Sequence, residues 1–386
     1  MLTLSLLSLL SIKFCNAGEW SMSGETLFPI MDVGIAVPTA TYSTELDSSG
    51  SWIVVSPDLG KTWNVLEQSN DGLLDIAASS LGNNTGVVSS VLGRVVYTLD
   101  AGKSWETSVT PLFGSQSIQR SRDGSKMYCG AGGNKISVSS NKGITWNHHE
   151  VVGLNNGSRY CALPTATTWY VTAGFWVEDD EDDEDMFHLN SRASIHKKTG
   201  EFSWKFNRRH ERGSNNAHYP GEHRRRMQEQ FMWAELWKTD DAGANWTRLY
   251  ASDNKFYFNA IDCCDAKTCY AVAEGDQEAG SNEPGTRVLM TNDGENFKVV
   301  YYDPLDSSSL MTVHCISDME AYAGGGDITG GRDFAGTFLH TTDGGQTWTN
   351  TSVKAPAMWM DMTDDAKYGV ASGISKTSGG VEYSYQ

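Results

Sequence analysis

Between residues 74 and 106 short apolar runs alternate with polar, glycine-bearing breaks. The runs are Asp75-Ile76-Ala77-Ala78, Gly86-Val87-Val88-Ser89 and Arg94-Val95-Val96-Tyr97, and a fourth opens at Trp105 after the break at Leu99-Asp100-Ala101-Gly102. None has helical length or helical periodicity, so the pattern predicts four β-strands joined by tight turns. The same order begins again at Ile30, Ile118, Ser158, Asn259 and Met311. A last unit runs through Met358–Met362, Tyr368–Gly373 and Val381–Tyr385 and is three strands long. Glu19–Ser23, left over ahead of the first unit, is expected to supply its outer strand, because joining the two chain ends in one sheet removes exposed edges.

The break before each fourth run is the most regular feature of the chain. Its shared form is Ser/Thr-x-Asp-x-Gly-x-Thr-Trp, with the acid or amide at Asp58, Asp100, Asn141, Asp241, Asp293 and Asp343. The closing aromatic is Trp63, Trp105, Trp146, Trp246, Phe297 or Trp348. A carboxylate or amide at that place accepts backbone N–H groups a few residues on, and glycine supplies a positive φ. The aromatic starts the outer strand and is expected to pack back against its sheet. The aromatics are spaced 42, 41, 100, 51 and 51 residues apart, and a period near forty with four strands per unit predicts a β-propeller. The expected fold class is all-β, with seven blades, or six as the runner-up.

The 100-residue interval is read as one blade with an insertion at 178–230. Glu178–Asp185 is an unbroken acidic run, Arg208-Arg209 and Arg224-Arg225-Arg226 follow, and five of the nine histidines fall nearby. Such blocks of like charge predict a disordered, self-neutralising surface segment. A decayed turn at Lys198–Trp204 would instead raise the blade number to eight, and the basic run offers a cut site for a dibasic-directed protease.

Charge and cysteine usage narrow the setting. A formal net charge of -18 excludes a phosphate-binding surface, so no nucleic-acid partner is expected. Met1–Ile12 is an apolar run of signal-peptide length, and residues 1–17 are expected to be cleaved after Ala17, leaving 18–386 as one domain without a membrane span. The remaining six cysteines, Cys129, Cys161, Cys263, Cys264, Cys269 and Cys315, suit an oxidising compartment. Cys264 and Cys269 flank a short turn and are the expected hairpin disulfide, with the other pairings open. Asn83, Asn156, Asn245 and Asn350 are N-glycosylation acceptors. No metal site and no cofactor is expected, since no histidine completes a set with the cysteines.

The repeated turn, in register six times, resembles that of the Asp-box (BNR) propellers, a group including sialidases, endoglucanases, sortilin receptors and photosystem II stability and assembly factors. The blade order, best seen from Tyr322-Ala323-Gly324-Gly325 to Asp343, is most similar to the last of these. That resemblance implies a binding or assembly scaffold and a plastid partner, reached here through the secretory pathway. The sialidase arginine triad has no counterpart, because the first arginine is Arg94.

Strand alternation puts the loops between second and third strands at the end opposite the repeated turns. The long ones are Gly275–Thr286, Gly324–Thr337 and the insertion, on the fourth to sixth blades. Trp176, Trp233, Glu274, Asp276, Asp327, Arg332 and Asp333 lie in or beside them and are the candidate ligand-binding residues. The expected function is a secreted or lumenal, non-catalytic scaffold for a protein or glycan. The alternative is a glycoside hydrolase using a pair of these carboxylates.

Overall fold

The computed structural model describes residues 20–26, 30–37, 40–47, 50–56, 62, 64–69, 73–78, 86–90, 94–100, 103–110, 117–123, 125, 127–154, 157–176, 186–188, 193–196, 202–204, 232–277, 281–305, 308–327, 335–363, 366–374 and 380–385. Every element among them is a strand, and the strands form seven four-stranded antiparallel sheets and one three-stranded sheet. In chain order, sheet 1 is Ile30–Val37, Ala40–Asp47, Gly50–Ser56 and Asn64–Ser69, and sheet 2 is Leu73–Ala78, Gly86–Ser90, Val95–Thr98 and Glu106–Thr107. Sheet 3 is Ile118–Arg120, Tyr128–Gly132, Lys135–Ser139 and Asn147–Glu150. Sheet 4 is Ser158–Ala162, Trp169–Trp176, Met232–Thr239 and Thr247–Asp253. Sheet 5 is Tyr257–Cys263, Cys269–Gly275, Gly285–Thr291 and Lys298–Asp303, and sheet 6 is Ser308–Cys315, Ala321–Asp327, Gly336–Thr341 and Thr349–Val353. Sheet 7 takes Ala357–Met362, Gly369–Ile374 and Gly380–Tyr385 from the end of the chain and its outer strand, Trp20–Thr26, from the beginning.

The closing pair runs in register from Trp20↔Tyr385 to Thr26↔Gly380, as the leftover segment ahead of the first unit predicts. Each first strand touches the first strands of the sheets before and after it, and that of sheet 7 touches that of sheet 1, so the first strands form a closed inner ring. Because strands alternate in direction, first and third strands end on the same side. The repeated Asp turns, after the third strands, therefore share one end of the ring with the turns that follow the first strands.

The turns form as their residue types require. Asp241 Oδ1 accepts the Asn245 N–H at 2.8 Å and the Thr239 hydroxyl at 2.8 Å, while its Oδ2 accepts the Asn245 side-chain amide at 2.7 Å. Asp343 does the same with Thr347 and Thr341. Asn141 keeps the shape by accepting the Thr145 N–H and donating to the Thr145 hydroxyl. Gly243 sits at φ +85°, and a Cβ there would also lie 2.9 Å from both the His149 ring and the Trp169 ring.

The closing aromatics do not pack back on their own sheet alone. Those of sheets 3 to 6 enter the seam with the sheet before them. Trp146 of sheet 3 is buried with Val95 and Tyr97 of sheet 2, Trp246 joins the cluster between sheets 3 and 4, and Phe297 the one between 4 and 5. Trp348 of sheet 6 meets Tyr270 and Tyr301 of sheet 5 edge-on, at centroid distances of 6.3 and 6.2 Å. In sheet 7, which has no Asp turn, Trp20 opens the outer strand and stacks on Phe338 of sheet 6 at 4.2 Å.

Two sequence expectations are corrected. The disulfides are Cys129–Cys161, Cys263–Cys269 and Cys264–Cys315, not Cys264–Cys269. Cys263 and Cys269 are directly opposed in the ladder. Cys264, one residue on, lies at the next position of opposite parity and meets Cys315 of sheet 6. The insertion, expected to be disordered, contains the paired strands Met186–His188, Ala193–His196 and Phe202–Trp204, which form the three-stranded sheet. Residues 1–17, Asp58, Trp63, Asn83 and Asn156 lie outside the described residues. Asn245 and Asn350 are exposed, and the amide of Asn245 is engaged in its Asp turn.

Trp146, 3% exposed, is expected to be worth about 3–5 kcal/mol to the fold on truncation to alanine. Leu99→Ala, at a half-open site, should be close to neutral in the same denaturant titration. In Cys264→Ser, unfolded without reductant, the thiol that becomes reactive to a maleimide should be Cys315; labelling of Cys269 would restore the hairpin pairing.

Candidate functional site

The end opposite the Asp turns gathers the candidate residues on three successive sheets. Trp176 closes the second strand of sheet 4 and lies beside Met232, with Trp233 opposite Phe175. Glu274 is next to last in the second strand of sheet 5 and Asp276 follows that strand, while Asp327 closes the second strand of sheet 6. Arg332 and Asp333 lie outside the described residues, as does the side chain of Trp176.

Glu274 and Asp327 are not open loop carboxylates. They are 2% and 3% exposed. Glu274 is paired in the ladder with Tyr257, whose hydroxyl donates to its Oε1. Asp327 borders a cleft of about 100 Å³ between sheets 5 and 6, with Thr286, Tyr301, Asp303, Ser308 and Asn350 around it. Asp276 is half-buried and accepts the Ser281 N–H at its backbone carbonyl, at 2.9 Å. Trp233, also half-buried, packs on the cluster between sheets 3 and 4. The two buried carboxylates thus belong to different settings, one held by a tyrosine and one in the cleft between the next two sheets.

Next to them stands a cationic shelf. Arg287 is buried with its guanidinium 4.5 Å from the Phe256 ring and 4.9 Å from the Tyr302 ring, and its Nη2 donates to the Glu283 carbonyl at 2.5 Å. Burial lowers its pKa, and the neighbouring tyrosines and Glu283 oppose that. Lys255 Nζ pairs with Glu283 at 2.6 Å, and this bond raises the lysine pKa.

At the Asp-turn end the axis is crossed by a network that single-residue motifs did not suggest. Arg122, just after the first strand of sheet 3, donates from Nη2 to Asp262 Oδ2 of sheet 5 at 2.5 Å and reaches His314 Nε2 of sheet 6 at 2.8 Å. Asp361 of sheet 7 lies 3.7 Å from His314 Nδ1. Asp262 also accepts the backbone N–H groups of Cys263 and Cys315, both at 2.9 Å, and so ties the latch to two disulfides. Burial and the charges of Arg122 and Arg120 hold the His314 pKa well below its ordinary 6.5, so the ring is neutral and its Nε2 lone pair accepts from Arg122. A neutral histidine already occupied by an arginine is a structural acceptor, and its polar neighbours among the described residues include an arginine and two aspartates. Its partners are contributed by three other sheets, and no local spacing reveals them.

No family model matches the chain, and no curated protein matches it in sequence. Among solved structures it is similar to YCF48 bound to a D1 peptide, at 14% identity over 96% of this chain and 96% of that one, with a TM-score of 0.54. It is also similar to the WD40 β-propeller domain of Doa1, at 9% identity over 96% and 97% of the two chains, with a TM-score of 0.56. YCF48 from Cyanidioschyzon merolae matches at 14% identity over 96% and 99%, with a TM-score of 0.49.

The chain is a β-propeller.

Its charge chemistry makes the propeller acid-sensitive in two steps. His314 has a depressed pKa, so its contribution is present above about pH 6.5 and is lost as pH falls below that value. The Asp-turn carboxylates are lowered from 3.8 by hydrogen bonds to their own turns, to about 2 for Asp100, chiefly by the Ser104 N–H, and about 2 for Asp241, chiefly by the Asn245 amide. Their contribution is present above about pH 4 and disappears towards pH 2. Thermal melting across pH 8 to 2 should show both losses, and His314→Gln should remove the upper one while leaving the lower.

Proposed function

We infer that this propeller is a non-catalytic binding or assembly scaffold whose ligand surface lies at the end opposite the Asp turns, on sheets 4 to 6. The observation that carries the reading is the placement of Glu274 and Asp327. A glycoside hydrolase needs two carboxylates flanking one open cleft at about 5–10 Å, whereas here one is bonded to Tyr257 and the other lines a small cleft whose walls do not include Glu274. The long second-to-third-strand connections of these sheets give this end the variable surface on which propellers place recognition. A protein ligand is the first to test, since YCF48, similar in fold, was solved with a D1 peptide. A glycan is the second, and the repeated turn keeps the Asp-box resemblance with its carbohydrate-active members in view.

The setting that fits this reading is the lumen of the secretory pathway, or a plastid lumen reached through it. Three disulfides support an oxidising compartment. Seven blades closed by strands from both chain ends would make a rigid platform whose two ends differ, one latched and one available for partners.

The purified chain should capture members of a displayed peptide or glycan library and lose that capture when Trp233 or Asp276 is replaced by arginine, while a panel of fluorogenic glycosides should show no turnover. Turnover of any of them that disappears in Glu274→Gln or Asp327→Asn would replace the scaffold by the hydrolase.

A further inference from the structure

Six of the seven first strands carry a β-bulge in their first half, and that of sheet 1 has a second near its end. In the first halves the ladder skips a single residue each time: Met31, Leu74, Arg159, Asn259, Met311 and Met358. A bulge re-aims one side chain out of the alternation of its strand. First strands pair along one edge only, so the bulges lie around the inner wall of the ring, near the end opposite the Asp turns. They are linked sideways: Asn259 Nδ2 donates to the Leu310 carbonyl at 3.0 Å and lies 3.6 Å from the Met311 sulfur, and the Ser117 hydroxyl donates to the Arg159 carbonyl at 3.0 Å. Four of the six are methionine or leucine. The arc formed by sheets 4 and 5 is polar.

Arg159 is the exceptional member. It is only 6% exposed, and its Nε and Nη2 are buried without a hydrogen-bond acceptor. Its guanidinium lies over the Tyr257 ring at 5.0 Å and the Tyr160 ring at 5.7 Å. Those rings serve the faces of the cation and leave its in-plane edge bare. Nε–H and one Nη2–H point the same way along that edge and form the fork that matches the two oxygens of a carboxylate. On the next sheet, Asn259 also has a buried, unpartnered atom, its Oδ1, with the amide orientation fixed by the bond from Nδ2 to Leu310. A buried guanidinium without an anion is costly, and an unsatisfied fork beside a second unpartnered polar atom marks a place built for a ligand.

We propose that the Arg159 fork is the receptor for a small carboxylate, bound at the inner wall of the propeller near the end opposite the Asp turns. The Met311 and Met358 side chains, both buried, continue the ring on its apolar side and favour a ligand with a short carbon chain over an inorganic ion. Glu274, paired with Tyr257 in the ladder, has its Oε1 engaged by the Tyr257 hydroxyl. The site lies on the inner wall of sheets 4 and 5, near the same end as the proposed partner-binding surface, and carboxylate binding can be read without any partner.

The test is a titration of the full chain with sodium formate or acetate in place of sodium chloride at constant ionic strength, so that screening does not change. Ligand that binds only the folded state raises the melting temperature with the logarithm of its concentration above its dissociation constant. The wild type should show that rise with formate and acetate, and chloride should give none. Arg159→Met, which keeps an apolar stem, should abolish it, and Arg159→Lys, which keeps the charge without the fork, should weaken it about tenfold or more. A wild type without a carboxylate-dependent rise, or an Arg159→Met variant that retains it, overturns the proposal. If the variants do not fold, line broadening of 13C-formate by the wild type decides alone: broadening reversed by excess acetate and unaffected by chloride supports the site, and its absence removes it.

Discussion

The structure depends on an aromatic side chain set at the entrance to the outer strands of sheets 3 to 7 and delivered into the seam with the preceding sheet. A four-stranded sheet has two faces to bury and cannot do so alone. In the seams from sheet 2 to sheet 7 the bridging residue is Trp146, Trp246, Phe297, Trp348 and finally Trp20, each with apolar partners from both sheets. Asp, Gly and hydroxyl residues of the turn act on behalf of that ring. The carboxylate fixes the turn, and the absent Cβ of Gly345 allows the turn to approach Val300 of the sheet before it, where an added carbon would stand 3.0 Å away. The repeat is therefore a device for joining blades rather than for finishing hairpins.

This explains why the chain can dispense with an Asp turn in sheet 7. There the outer strand comes from the start of the chain, so there is no third-to-fourth-strand turn to fix. The aromatic is still needed, and Trp20, the first residue of the outer strand, supplies it. Covalent staples reinforce some of the same seams: Cys129–Cys161 joins sheet 3 to sheet 4, and Cys264–Cys315 joins sheet 5 to sheet 6.

The fold was largely legible because it rests on local signals. Strand starts at Ile30, Ile118 and Ser158 coincide with those in the structure, and the closing strand could be inferred by noting which sheet was one strand short. Cysteine pairing was not legible, since Cys263 and Cys264 differ only in which face of the strand they occupy, and that parity is set by register. The candidate site was legible in outline only. Loop lengths pointed to sheets 4 to 6 and to one end of the ring, but burial of Glu274 and Asp327 depends on how sheets meet, which no local pattern encodes. The Arg122 latch was invisible for the same reason, being assembled from sheets 3, 5, 6 and 7.

Propeller symmetry gives a way to separate structural from functional residues here. Where equivalent positions carry equivalent residues, as in the turns, the residue serves the ring. Where one position breaks the pattern of its counterparts without a partner in the fold, a structural role is the weaker account. His314 is a buried histidine but has partners, Arg122 and Asp262, so it belongs to the latch. Arg159 is the one charged residue among counterparts that are three methionines, a leucine and an asparagine, and it has two unpartnered donors. Burying such a charge opposes folding, and the aromatic faces against it offset only part of that cost. The remainder is the physical reason to look for an anion at that wall.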